Sequence, residues 1–282
     1  MKHIHFIAIG GAAMHNLALA LQQKGFFVTG SDDEIFEPSY SRLKKAGLLP
    51  KEMGWFPEKI DSSITAVILG MHAREDNPEL IQAKKIGLNI YSFPEFLYQQ
   101  TQTKIRVVIG GSHGKTSITS MILHVLSQMK VKFDYMVGAQ IEGFDTMVGL
   151  NEEARIAIFE GDEYLTSPID LRPKFHVYQP HIAVVSGIAW DHINVFPTFE
   201  NYVEQFKIFS EKIEKEGKFI YFEEDENLKK IAEQVRADIG VLSYGTHAHF
   251  VKEGKTFLET RQGEVLLHSL EVLRLEDQQL LV

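Results

Sequence analysis

Cysteine is absent from the 282 residues, which excludes disulfides and thiolate metal sites and is compatible with a reducing cytoplasm. Also missing is any run of about 18 apolar residues, so no segment reads as a membrane helix. The start, Met1-Lys2-His3-Ile4-His5-Phe6, lacks a charged region followed by a long apolar stretch. A cytoplasmic protein is expected. Net positive charge is lacking as well: 29 basic residues against 38 acidic ones give −9, which argues against nonspecific binding to nucleic acid or a membrane surface. An anionic ligand must then be held by local groups. There is no low-complexity segment and no repeat of short fixed period. What remains is ordinary for a globular chain, 44% hydrophobic and 24% charged, with length enough for two domains.

The most informative stretch is Val107-Val108-Ile109-Gly110-Gly111-Ser112-His113-Gly114-Lys115-Thr116-Ser117. Ile105 to Ile109 reads as a buried strand and Ser117 to Met129 as a helix; the Gly-rich turn between them can bring bare N–H groups to a phosphate. Lys115 would set its ammonium on the outer phosphates of a nucleotide, and the hydroxyl of Thr116 or Ser117 would hold a magnesium ion. The spacing is the short Gly111-x-x-Gly114-Lys115-Thr116, because Ile109 stands where a longer P-loop has its first glycine. A chance Gly-Lys-Thr in a loop is the plainer alternative.

The first hundred residues repeat the theme. Ile4 to Ile9 is a strand running into Gly10-Gly11-Ala12-Ala13-Met14, and Asn16 to Lys24 has helical spacing. Such a turn either seats a diphosphate on the helix N-terminus or is simply tight. A second strand, Phe26 to Thr29, ends in Gly30-Ser31-Asp32, where an acid about 20 residues beyond the glycines can bond a ribose hydroxyl. Ala66 to Gly70 is a further strand, and the loop after it, with His72, Arg74 and Asn77, lies where open parallel sheets bind ligands. Arg74 there is either an anion contact or an ordinary exposed arginine. The polar stretch Gln99-Gln100-Thr101-Gln102-Thr103 marks a boundary, giving domains 1–102 and 103–282. The predicted class is α/β: a Rossmann-like domain, then a P-loop ATP-binding domain.

In the second half, Ala154 to Phe159 and Ile182 to Val185 are strands. Glu160 stands at the end of the first, placed to complete magnesium coordination around nucleotide phosphates, whereas Asp162 and Glu163 read as loop acids. Asp191-His192 follows the second strand; His192 would serve as a ligand or a phosphate contact. Beyond Asn201 the sequence predicts helices at 202–215 and 227–235, a strand at 219–222, and short antiparallel strands from Val241 to Val282 with turns at Glu253-Gly254-Lys255 and Gln262-Gly263-Glu264.

With Gly111-Ser112-His113-Gly114-Lys115-Thr116, Glu160 and Asp191-His192 in this order, the chain resembles the Mur ligase family, ATP-dependent amide-bond ligases of bacterial cell-wall synthesis. The resemblance implies ATP and Mg2+ as cofactors, Glu160 as the magnesium acid, and His192 as the ligand of a second ion. Lys115, Glu160 and His192 become the catalytic candidates, with Thr116 and Ser117 joining Glu160 and His192 as metal candidates. It also implies that the N-terminal turn, with Ser31, Asp32, His72, Arg74 and Asn77, binds UDP-N-acetylmuramate rather than NAD. Ser112 departs from the family's threonine, and Ala13 and His15-Asn16 stand where glycines are frequent. Asp162-Glu163-Tyr164, Asp170-x-Arg172-x-Lys174-Phe175, Asp191-His192-x-Asn194-Val195-Phe196-Pro197 and Arg74-x-x-Asn77-Pro78 point to the members that attach the tripeptide L-alanyl-γ-D-glutamyl-meso-diaminopimelate in peptidoglycan recycling. L-Alanine is the alternative acceptor. The family's mechanism runs through an acyl phosphate on the sugar's lactyl carboxylate. Its third domain has no counterpart before Val282, so the chain alone is expected to be inactive, or to act as a binding module. A P-loop kinase or a dehydrogenase is the remaining reading.

Overall fold

The computed structural model describes residues 2–260 and 263–266. Strand and helix alternate through the first hundred: β1 (His3–Ile7), α1 (Ala12–Gln23), β2 (Phe27–Ser31), α2 (Ser39–Ala46), β3 (Ala66–Leu69), α3 (Pro78–Lys85), β4 (Asn89–Ser92) and α4 (Phe93–Thr101). The strands pair in parallel in the order β2-β1-β3-β4. A parallel strand covered on both faces needs a continuous apolar run, and Ala66-Val67-Ile68-Leu69 is buried throughout. Ile68 faces Leu17 and Phe96, while Val67 and Leu69 face Leu80 and Ala83. Helix starts are written locally: Asn77 caps α3, and Ser92 with Glu95 forms a capping box on α4, each with a proline in the first turn.

The chain continues through β5 (Ile105–Gly110), α5 (Lys115–Gln128), β6 (Phe133–Met136), β7 (Val148–Gly149), β8 (Ile156–Glu160), β9 (Leu165–Ser167) and β10 (Asp170–Pro173). After these come α6 (Lys174–Val177), β11 (Ile182–Val185), α7 (Phe199–Glu211), β12 (Lys218–Phe222), α8 (Glu226–Ala232) and β13 (Gly240–Tyr244). A seven-stranded sheet runs β13-β12-β11-β5-β8-β6-β7, parallel except at β7. One face, Val107, Ile109 and Ile158, packs on Leu123 of α5; the other, with Val108, Ala157 and Ala183, lies under Phe175, Phe206, Phe209 and Leu228. β5 is flanked by β8 and β11, so the P-loop and the ends of both neighbours share one edge. A small antiparallel sheet follows: β14 (His249–Lys252), β15 (Lys255–Thr260) and β16 (Gly263–Leu266).

Several sequence expectations change. Gly240–Tyr244 is not antiparallel: α8 carries the chain back so that it extends the large sheet as a parallel edge strand beside β12. Antiparallel pairing holds for β14 to β16, with Glu253-Gly254 between the first two; Gln262 and residues 267–282 lie outside the described residues. Helices α1 and α5 begin earlier than predicted, at Ala12 and Lys115, which sets each glycine turn directly on a helix N-terminus.

The two parallel sheets share one apolar cluster, from Leu17 and Phe96 through Met136 and Val148 to Phe159 and Phe206. Polar bonds reinforce the join. The Asn16 side-chain oxygen Oδ1 accepts from the Met147 N–H at 2.9 Å and from Arg42 at 3.3 Å, and Arg42 also donates to Gln140 at 2.7 Å. Asn16, bulkier than the glycine of the resemblance, is therefore a buried member of this seam, and His15 is buried behind it, bonded to Asn16 and Ser39. The expected boundary at 102/103 falls in the connection from α4 to β5, which buried Arg106 binds through several carbonyls.

Candidate active site

The P-loop leaves β5 and turns into α5 over Gly111 to Gly114. Gly111 sits at φ +128 and Gly114 at φ +77, and a Cβ on Gly111 would lie 2.2 Å from the Ser186 hydroxyl. Only glycine fits where the loop passes β11 this closely. Ser112 is buried: its N–H donates to Gly187 O at 3.0 Å, and its hydroxyl accepts from the Ala189 N–H at 2.8 Å. The Ser186 hydroxyl donates to the His113 carbonyl, while the His113 side chain is exposed. Lys115 folds back over the loop, donating to Gly111 O at 2.7 Å and to Glu163 at 2.8 Å.

Two acids converge here with different partners. Glu160, at the end of β8, accepts from the Thr116 hydroxyl at 2.8 Å and from the Gly138 N–H at 2.7 Å. A hydroxyl and a carboxylate so close are an all-oxygen donor pair of the kind that suits magnesium, and they lie at the N-terminus of α5. Ser117 is half-buried in the same first turn. Glu163 is fully buried and central to a second group. It accepts from Lys115 and, at 3.0 Å, from the Tyr202 hydroxyl; the His192 ring nitrogen Nε2 lies 3.7 Å away. Burial, with the Glu163 carboxylate next, pushes the Tyr202 phenol well above its ordinary value, so it stays a neutral donor. That fixes the order of the chain: Ala189 N–H to Ser112, Ser112 O–H to Tyr202 (2.9 Å), Tyr202 O–H to Glu163.

Among the described residues, Glu163, Asp191 and His192 offer ligand atoms within 4.8 Å of one another. His192 adopts φ +52, and its ring lies 5.2 Å from Tyr164. Asp162, expected as a loop acid, pairs with Lys174 and receives the Tyr164 N–H at 2.9 Å. Burial lifts its carboxyl, but the Lys174 ammonium outweighs this and holds it below its ordinary value.

At the N-terminal turn, Gly10, Gly11, Ala12, Ala13 and Met14 carry the chain from β1 into α1, with Met14 buried in the core. Asp32 supports that turn directly: one carboxylate oxygen accepts from the Gly10 N–H at 2.7 Å, the other from the Asp33 N–H at 3.0 Å. The Ser31 hydroxyl is buried with no hydrogen-bond partner. His72 and Arg74 are exposed on the loop after β3, whereas Asn77 is buried, its carbonyl accepting from the Glu79 and Leu80 N–H groups as the cap of α3. Asn77 thus has a structural duty that its place after a strand did not disclose.

Burial raises the Asp32 carboxyl from 3.8 to about 6, against the Gly10 bond that favours ionisation. The folded protein therefore holds this proton more tightly than the unfolded chain. The resulting stabilisation is complete below pH 3.8 and lost as pH rises through about 6. Asp32→Asn, uncharged throughout, is expected to gain Tm relative to the parent as pH rises across this window. An offset independent of pH would rule the titration out.

Residues 3–104 match the description "Mur ligase family, catalytic domain", and residues 109–279 match "Mur ligase middle domain". The chain belongs to the Mur ligase family. It is 33% identical over 217 residues to a UDP-N-acetylmuramate–L-alanine ligase of Carboxydothermus hydrogenoformans, covering 77% of this chain and 45% of that protein. A protein of the same name from Clostridium kluyveri is 29% identical over 280 residues, covering 96% and 59%. The chain thus spans about half the length of the curated relatives it matches. Among solved structures, UDP-N-acetylmuramate:L-alanyl-gamma-D-glutamyl-meso-diaminopimelate ligase from Neisseria meningitides aligns with TM-score 0.80 and 25% identity, covering 94% of this chain and 86% of that one. A UDP-N-acetylmuramate-alanine ligase from Thermotoga maritima shares the fold at TM-score 0.70 and 20% identity, covering 95% and 60%.

In this Mur ligase chain, Lys115, Thr116, Glu160 and His192 gather at the β5, β8 and β11 ends. Sequence reasoning did not single out Tyr202, nor Glu163 as a shared acceptor. A tyrosine within an otherwise apolar helical stripe, Tyr202, Phe206 and Phe209, was the available signal, because a buried phenol needs a partner.

Proposed function

We propose that the full-length protein is an ATP-dependent amide ligase that joins L-alanyl-γ-D-glutamyl-meso-diaminopimelate to UDP-N-acetylmuramate. The observation carrying this reading is the P-loop of a Mur ligase fold, in which the Thr116 hydroxyl bonds Glu160 and Lys115 folds back over the loop to Gly111 O at the same sheet edge. Lys115 neutralises charge on the outer phosphates of ATP. Past Ser112, whose N–H is taken by Gly187, the turn into α5 brings backbone N–H groups toward them. Thr116 and Glu160 would hold Mg2+, which when bound offsets phosphate charge; His192, with Asp191 beside it, is the candidate for a second ion. The lactyl carboxylate takes the γ-phosphoryl group of ATP as ADP leaves, and the amine then attacks the carbonyl of this acyl phosphate, losing a proton as phosphate departs.

The tripeptide is preferred over alanine on the segments that resemble the tripeptide-attaching members, Asp162-Glu163-Tyr164, Asp170-x-Arg172-x-Lys174-Phe175, Asp191-His192-x-Asn194-Val195-Phe196-Pro197 and Arg74-x-x-Asn77-Pro78. Asp162 and Lys174 of the first two pair across the β9–β10 hairpin. The structural relative named for the tripeptide also aligns over most of both chains. L-Alanine remains the second reading, favoured by the names of the curated relatives. The test is phosphate release by the full-length protein from Mg-ATP and UDP-N-acetylmuramate, with L-alanine and tripeptide offered in parallel. Release with tripeptide alone is expected; release with alanine alone would move the assignment to the second reading.

A further inference from the structure

We propose that Glu163 is a positioning residue for Lys115: a counter-ion that holds the ammonium over the P-loop and is exchanged for the outer phosphates when nucleotide binds. The inference rests on the nucleotide reading of the P-loop above.

Three observations carry it. Glu163 has no solvent exposure, and Lys115 is only 14% exposed, so their 2.8 Å contact is a shielded ion pair rather than a surface one. The other Glu163 oxygen is fixed by Tyr202, itself held through Ser112 to the backbone at Ala189, so the carboxylate is anchored from β11 and α7 independently of Lys115. Lys115 also donates to Gly111 O, which places its ammonium across the loop meant for phosphates. One ammonium thus stands between a fixed carboxylate and an incoming polyanion. In a shielded site, two such anions repel unless the lysine transfers between them or another cation intervenes.

This differs in sign from simple structural support. If Glu163 only braced the loop, neutralising it would loosen the loop and weaken nucleotide binding. As a competing counter-ion, its neutralisation frees Lys115 and removes the repulsion, so binding tightens. The effect should be confined to ligands with outer phosphates.

The experiment titrates the parent protein, Glu163→Gln and Tyr202→Phe with ATP in EDTA, with Mg-ATP, and with AMP, alongside a thermal melt of each. Glu163→Gln is expected to bind metal-free ATP about tenfold more tightly, the scale of one charged hydrogen bond, with AMP unchanged. Tyr202→Phe, which takes away the donor that the carboxylate keeps once Lys115 has moved, is expected instead to weaken metal-free ATP binding about threefold. Should Glu163→Gln not fold, Glu163→Asp, which draws the carboxylate back from the ammonium by one methylene, decides with a smaller tightening. Unchanged or weaker metal-free ATP binding in a folded Glu163 variant overturns the proposal. So does a Glu163→Gln variant that weakens Mg-ATP while leaving metal-free ATP untouched, which would make Glu163 a cation ligand. If the parent binds no ATP in any form, the nucleotide reading fails and this inference with it. If the parent binds ATP and the Glu163 variants bind no tighter, only the counter-ion role is lost.

Discussion

Turnover by the full-length protein is expected to fall by about 10²–10³-fold when Lys115 is replaced by alanine, the range typical of removing one preorganised charge-stabilising donor. The same substitution is expected to cost about 3–5 kcal/mol of stability, because it strands the fully buried Glu163 carboxylate without its ammonium. The two losses have different causes and separate in a double variant. Lys115→Ala with Glu163→Gln removes both charges, so it should recover most of the stability while turnover stays low. Phosphate release and urea unfolding on the single and double variants measure this directly. Near-normal turnover in Lys115→Ala would sink the P-loop assignment. A double variant no more stable than the single would show that the ion pair, not the stranded charge, sets the cost.

The parts of this fold that were legible in the sequence are those written in local periodicity. Ile105–Gly110 and Ala66–Leu69 are continuous apolar runs because parallel strands are covered on both faces, and the glycine turns before α1 and α5 follow from the need for close backbone approach. Gly240–Tyr244 was misread because an exposed edge strand carries no buried-face pattern: Val241 and Leu242 are 42% and 49% exposed, and only the α8 crossover makes the pairing parallel. The positions of Lys115, Thr116 and Glu160 at one sheet edge were legible because the first two follow β5 through a short turn and Glu160 ends β8. Glu163 was not, since its environment is set by Tyr202 on α7, 39 positions along the chain, and by Ser112, neither of which marks it locally. Asn77 shows the converse: its place after a strand suggested a ligand contact, while its role as the cap of α3 depends on where that helix starts.

Arg106→Ala is expected to be the most destabilising single change outside the P-loop, by about 3–5 kcal/mol. The guanidinium is 2% exposed at the start of the central strand β5. Its Nε donates to the carbonyls of Tyr178 and Gln179, and one terminal nitrogen donates to those of Thr101, Gln102 and Lys104. The other terminal nitrogen pairs with Glu214 at 2.7 Å. One planar fork thus closes the connection between the sheets, the turn before β11 and the segment after α7. Alanine would leave those carbonyls short of a donor, the buried ones of Thr101, Lys104 and Tyr178 most of all, and also open a cavity. Lysine keeps the charge but offers a single nitrogen with no fixed fork, so Arg106→Lys should recover only a minor part of the loss. Urea unfolding of the three proteins, followed by far-ultraviolet circular dichroism, measures the ranking. If Arg106→Ala were within about 1 kcal/mol of the parent, water or a rearranged connection would have to satisfy those carbonyls, and Arg106 would not be what closes the join between the sheets.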